Sequence, residues 1–267
     1  MEMDHFTSLE KALVKTEADA DAALKAAIAA VSSLKKFRTA AQTGNLRELR
    51  KTIDASEQAI TALRQQFTNA KEGWTLDEEA HLSNKAFTSE ILEAAGQIGL
   101  KIFDQDDRLY CYPFLIRILP GERSILIDKV RERRLRPSVL VKHLKDLQSK
   151  PSRFKPETFL ESLFSAYETV AASRGKKQVN TGVIVKLIDI YRLFTLLPGQ
   201  SKEYSTQEFA RDIYLLDQSR VTRTKNGLIA AFPASTGTRS NTGTITVITQ
   251  DGYVKKYYGI SFANENV

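Results

Sequence analysis

The chain has 267 residues, 42% of them hydrophobic and 9% aromatic, which is enough for two or three modest domains with their own cores and too apolar for a disordered chain. Its 39 Lys and Arg outnumber 32 Asp and Glu, for a net charge of +7. The excess is uneven: residues 1–100 are net acidic, whereas 101–150 and 171–267 are basic. An acidic arm ahead of a basic body fits a nucleic-acid or acidic-partner surface, or a surface kept solvated by Lys and Arg.

The single cysteine, Cys111, lies in the apolar run LYCYPFLIRIL, cannot form an intramolecular disulfide, and reads as a reduced core residue in a cytoplasmic protein. Glu2, Asp4 and Glu10 with no apolar h-region argue against a signal peptide. Val183 to Leu197 is interrupted by Lys186, Asp189 and Arg192, so no membrane association is expected.

Residues 1–98 read as a helical arm. Phe6, Leu13, Ala20, Ala27 and Leu34 recur every seventh residue, with Leu9, Thr16, Ala23, Ala30 and Phe37 three positions after each. Gly44-Asn45 breaks that helix, and a second shows a 3-4 series from Leu46 through Leu49, Ile53, Ser56, Ile60, Leu63, Phe67 and Ala70 to Trp74. The short connection predicts an antiparallel hairpin with a first helix of about 35 residues and roughly 50 Å. A third helix is expected from near Thr75 to Ile98. Two readings fit: a self-contained three-helix bundle, or a coiled-coil arm that dimerises or docks on a partner helix.

Residues 99–150 read as a small antiparallel meander, with strands over 100–103, 109–119 and 124–130, a type II turn at Pro120-Gly121, and a helix from Pro137 to about Ser149. Lys129, Arg131, Arg133, Arg134 and Arg136 precede that helix, and Lys142 and Lys145 lie on its outer face. In an extended segment Lys129, Arg131 and Arg133 share one side and could follow phosphates, or they form a basic edge strand that blocks unwanted pairing.

After a Pro-marked linker, residues 156–267 run three helices and then strands, with a capping box at Ser205 and Glu208 and a hairpin signal at Asp251-Gly252. That order predicts a winged-helix-like domain, whose third helix would present Gln207 and Arg211, with Arg220, Arg223 and Lys225 just beyond. The wing would add Arg239, Lys255 and Lys256. Glu208, Asp212 and Asp217 on the same helix would oppose phosphate, and winged helices also dock proteins. The stretch from Ser235 to Gly243 fits a mobile wing tip better than an anion cradle.

His5, His81 and His143 lack metal-ligand spacing, and no phosphate-loop, dinucleotide or nucleophile-elbow motif occurs, so no metal, cofactor or catalysis is expected. The expected fold is mainly α with small antiparallel β elements, in three domains at 1–98, 99–150 and 156–267. The leading function is a non-enzymatic, DNA-associated assembly subunit, with the arm binding itself or a protein partner and the basic half gripping duplex DNA. The alternative is a protein adaptor of a multi-component complex, with an ATPase or nuclease partner, that binds no nucleic acid itself, and an enzyme ranks behind both.

Overall fold

A computed structural model describes residues 8–150, 154–175, 182–233 and 243–264. The chain is mainly helical with small antiparallel sheets, as its patterning predicts. Two helices open it: α1 (Leu9–Thr43) and α2 (Leu46–Gly73). Gly44, with φ of 67°, ends α1 in the left-handed conformation that glycine adopts without a Cβ penalty. The Asn45 side chain then caps α2 by accepting the Glu48 N–H at 3.2 Å. The far ends also meet: a Cβ on Gly73 would fall 2.7 Å from Lys15 Nζ, so α1 and α2 form an antiparallel hairpin.

The burial pattern differs from the expected seam. One expected row faces inward on α1 (Leu9, Thr16, Ala23, Ala30, Phe37), but its companion is Ala12, Asp19, Ala26, Ser33 and Ala40. Of the other expected row, Leu13 and Ala27 are half-buried, and Ala20 and Leu34 are exposed. On α2, Leu49, Ser56, Leu63 and Ala70 turn inward, while Leu46, Ile53, Ile60 and Phe67 stay exposed. Small side chains line the α1 side of the contact, and the larger Leu24, Ile28, Val31 and Leu34 point away from it.

The expected third helix is two: α3 (Glu78–Ser83), capped by Asp77, and α4 (Lys85–Gln97), capped by Asn84. Both caps are acceptor side chains on extended residues, which interrupt the helical hydrogen-bond ladder. Five strands follow: β1 (Phe103–Gln105), β2 (Arg108–Cys111), β3 (Phe114–Leu119), β4 (Ser124–Ile127) and β5 (Val130–Glu132), adjacent in chain order. Two expected strands are therefore split. The run 109–119 turns at the cis Tyr112–Pro113 bond, and 124–130 turns at Asp128-Lys129, where Asp128 has φ of 52°. Pro120–Glu122 forms a single 3-10 turn, and the left-handed residue there is Arg123, so the expected type II turn is absent. Helix α5 spans Pro137–Gln148.

The remainder comprises α6 (Pro156–Ser173), β6 (Val185–Lys186), α7 (Leu187–Phe194), α8 (Gln200–Glu203), α9 (Thr206–Ser219), β7 (Ile229–Ala231), β8 (Ile245–Ile248), β9 (Val254–Tyr257) and β10 (Gly259–Ala263). A three-stranded sheet runs β6-β10-β7, and β8 pairs with β9 in a separate hairpin. Gly259 is required in β10 because a Cβ there would lie 2.7 Å from the Val185 carbonyl oxygen. The Ser205–Glu208 capping box forms as expected at the start of α9.

Two compact units result, one of residues up to Ile98 with Ile118–Ile125 and Glu132–Lys142, the other of Gly99–Arg117, Leu126–Arg131 and His143 onward. The stretch 99–150 is shared between them. In the second unit the core gathers Leu160, Leu163, Tyr167, Phe209, Ile213 and Phe262. In the first, Glu90 of α4 caps α1 from outside: its carboxylate accepts the Ser8 hydroxyl at 2.8 Å and the Leu9 and Glu10 amides at 2.9 and 3.1 Å. Buried His81 places Nε2 2.8 Å from the same carboxylate. Glu90→Ala strands those donors and should cost about 1–3 kcal/mol, read as an earlier loss of helical circular dichroism on heating; an unchanged transition would show that water replaces the carboxylate.

Candidate anion-binding surface

The fourteen basic residues expected to form a contact surface fall into distinct groups. Lys129, Arg131, Arg133, Arg134, Lys142, Lys145, Arg220, Arg223, Lys225 and Lys256 are exposed. Arg136, Arg211 and Lys255 are committed to partners inside their own units, and Arg239 lies outside the described residues, as do Phe6 and most of the Ser235–Gly243 stretch. Arg136 bonds Glu10 at 2.8 Å and Glu17 at 2.6 Å. Burial alone would raise the Glu10 pKa, but the Arg136 guanidinium and the Ser138 donors outweigh it and pull it below the ordinary carboxylate range.

The basic row is not one extended face. Strand β5 contributes only Arg131, because the chain leaves extended structure after Glu132. Glu132 then folds the next residues around itself, accepting the Arg133 and Arg134 amides at 2.8 Å each and the Arg134 guanidinium. That guanidinium holds the Glu132 pKa down at about 2.

Helix α9 differs most from expectation. No residue from Thr206 to Asp217 is exposed. Arg211, with its side chain 12% exposed, bonds Asp212 at 2.8 Å and pairs with Asp128, while Tyr204 donates to Asp212 at 2.7 Å. Gln207 is half-buried. Lys255 is tied to Asp217 and stacks over Tyr257 at 5.1 Å. The helix expected to present side chains to a groove is thus covered from Thr206 to Asp217, and its charges are matched internally.

A different cluster emerges in the second unit. The β2–β3 register pairs Leu109 with Ile116, which sets Arg108 directly opposite Arg117 on one face of the sheet. Both line a cavity of about 370 Å³, joined by Lys129 from the β4–β5 turn and Lys202 from α8. Neither arginine has an ion-pair partner among the described residues. Burial first, and then neighbouring Arg117, pushes the Arg108 pKa below its ordinary value. Two of the acids that line the cavity are already engaged. Asp128 accepts the Leu115 amide at 3.0 Å and pairs with Arg211, and Glu208 accepts the Ser205 amide and hydroxyl at 2.7 and 2.9 Å.

Sequence reasoning does not single out Arg108, Arg117 or Lys202. The arginines' opposition is readable only once Tyr112–Pro113 is placed as a turn, since in an antiparallel hairpin the turn position fixes which residues face each other. Lys202 carries no sequence signal. Among the described residues no group of three or more His, Cys, Asp or Glu is placed to hold a metal, and no helix is long and apolar enough to cross a membrane. Cys111 is buried and its thiol is pushed up to about 12.

Like charges opposite each other in a sheet are destabilising by about 0.2–1 kcal/mol. Arg117→Gln should therefore raise the urea midpoint slightly; a lowered midpoint would mean that Arg117 has a stabilising partner. No protein-family model, curated protein or solved structure matches this chain.

Proposed function

We propose that the protein is a non-enzymatic assembly subunit that self-associates through its helical hairpin and contacts nucleic-acid backbone through its basic second half. The observation that carries the assembly part is the apolar surface of the hairpin. Val14, Leu24, Ile28, Val31 and Leu34 on α1, and Leu46, Ile53, Ile60 and Phe67 on α2, are all exposed, with Ile28 and Phe67 at 63% and Leu46 at 73%. Side chains of this size each contribute about 1.5–3 kcal/mol when fully buried, and clustered exposure of this extent marks an interaction surface.

Charge points to a second copy as the occupant. Residues 25–64, the turn half, carry eight Lys and Arg against Glu48, Asp54 and Glu57. The open end, 8–24 with 65–73, carries three Lys and Arg against five Asp and Glu. Two hairpins laid antiparallel match the basic tip of each to the acidic base of the other, in a two-fold arrangement.

The nucleic-acid part is supported by the exposed cations Lys129, Arg131, Arg220, Arg223, Lys225 and Lys256. A winged-helix-like reading of the second unit is supported by the strand order β6-β10-β7, with α7 to α9 lying between β6 and β7 in the chain. Because α9 is covered, contact would fall to the strands and turns, gripping phosphates without reading bases. The adaptor alternative draws support from the same covering of α9 and from the internal pairing of Arg136, Arg211 and Lys255.

In sedimentation velocity the full chain should run as a dimer that weakens at high salt, and Ile28→Glu with Phe67→Glu should weaken it at least about tenfold while helical content is kept. A concentration-independent monomer would overturn self-association. Affinity for duplex DNA should fall steeply as salt rises, with a log–log slope of several units; absent or salt-independent binding would favour the adaptor.

A further inference from the structure

We infer that the cleft beside Arg108 and Arg117 is a binding site for a single phosphate group, carried by a mononucleotide or by the end of a nucleic-acid strand. The site shares only Lys129 with the backbone contacts proposed above, and it is assembled from four segments. The β2–β3 register brings Arg108 and Arg117 together, the β4–β5 turn adds Lys129, and α8 adds Lys202. Four cations from separate elements converge on one cavity and outnumber the three acids that line it, Asp128, Glu203 and Glu208.

Three features make this more than a solvated basic face. First, Arg108 is half-buried beside a like charge, and burial and Arg117 outweigh the opposing pull of Glu208, so a further anion would relieve the arrangement. Second, Asp128 already uses its carboxylate on Arg211, so the four cations face two remaining acids of the lining, Glu203 and Glu208. Third, Leu115 and Leu126 form part of the wall, and apolar walls strengthen charge attraction within a cleft.

The chemistry of the donors and the size of the cavity select the ligand. Two guanidinium groups present flat pairs of N–H donors that match the oxygens of phosphate, and the lysines add compact point charges, so a group with three oxygens and up to two negative charges satisfies all four. About 370 Å³ lies at the small end of the range for ligand sites. That volume suits one nucleotide and not a duplex. The capping box closes the α9 N-terminus with the protein's own Glu208, so the side-chain cations, not the helix end, carry the site.

The test is isothermal titration of the full chain with inorganic phosphate, AMP, and a short single strand bearing either a 5′-phosphate or a 5′-hydroxyl. Saturable binding of phosphate and AMP is expected, with each of Arg108→Gln and Arg117→Gln weakening it at least about tenfold and Arg133→Gln leaving it unchanged. Arg117 is exposed and its removal relieves repulsion, so loss of binding in that variant cannot be ascribed to unfolding. Discrimination for the 5′-phosphate over the 5′-hydroxyl strand identifies a strand end as the source, and AMP binding without it identifies a free nucleotide. Absence of saturable binding to all four probes, or binding indifferent to both arginine variants, would overturn the inference. Duplex affinity is measured separately with 5′-hydroxyl ends, so either claim can fail while the other stands.

Discussion

The hairpin has one internal seam, and the α1 side of that seam is built from small side chains. Ala12, Ala23, Ala26, Ala30, Ser33 and Ala40 let α2 come close but bury little area each. The consequence is geometric: a helix of 35 residues that turns its alanines inward must turn something else outward, and here that includes Leu24, Ile28, Val31 and Leu34. The hairpin is thus held at its base by specific polar contacts. Glu90 closes the α1 N-terminus, and Glu10 and Glu17 both bind Arg136. Apolar side chains remain open along its length.

The second unit arranges charge in the opposite way from the sequence expectation. Its most buried helix, α9, carries Arg211 and Asp212 into a network with Asp128 and Tyr204, where every charge has a partner. Buried charges need such pairing because desolvation is costly. Elsewhere, on β2, β3, the β4–β5 turn and α8, four cations without an ion-pair partner among the described residues line one cavity. A short turn connects the two regions: Asp128 pairs with Arg211 while its neighbour Lys129 faces the cavity.

Much of this fold was legible in the sequence. The α1–α2 hairpin, the Pro-initiated α5 and α6, the α9 capping box and the β8–β9 hairpin all follow from local chemistry that tertiary packing does not override. The misreadings have separate physical causes. Pro113 lies within a continuous apolar run, which conceals a turn when hydrophobicity is the signal, and Asp128-Lys129 interrupts an otherwise strand-like run by only two residues. The α1 seam is ambiguous because alanines occupy both candidate rows, so periodicity alone cannot say which one faces α2. The candidate cleft depends on register and on α8, both non-local. Lys129 alone among its four cations was readable in advance, from its place at the head of the basic run.

In the proposed dimer two hairpins lie tip to base across the apolar surface left open by the α1 seam. Buried Cys111, with its thiol pushed up to about 12, leaves an introduced surface cysteine as the reactive one, so spin labels at Ala29→Cys or Gln42→Cys can be placed selectively. Pulsed dipolar spectroscopy should then give a short inter-copy distance for label 29, near the middle of α1, and about 50 Å for label 42, near the tip. A short tip-to-tip distance, or no inter-copy coupling at either position, would contradict this arrangement.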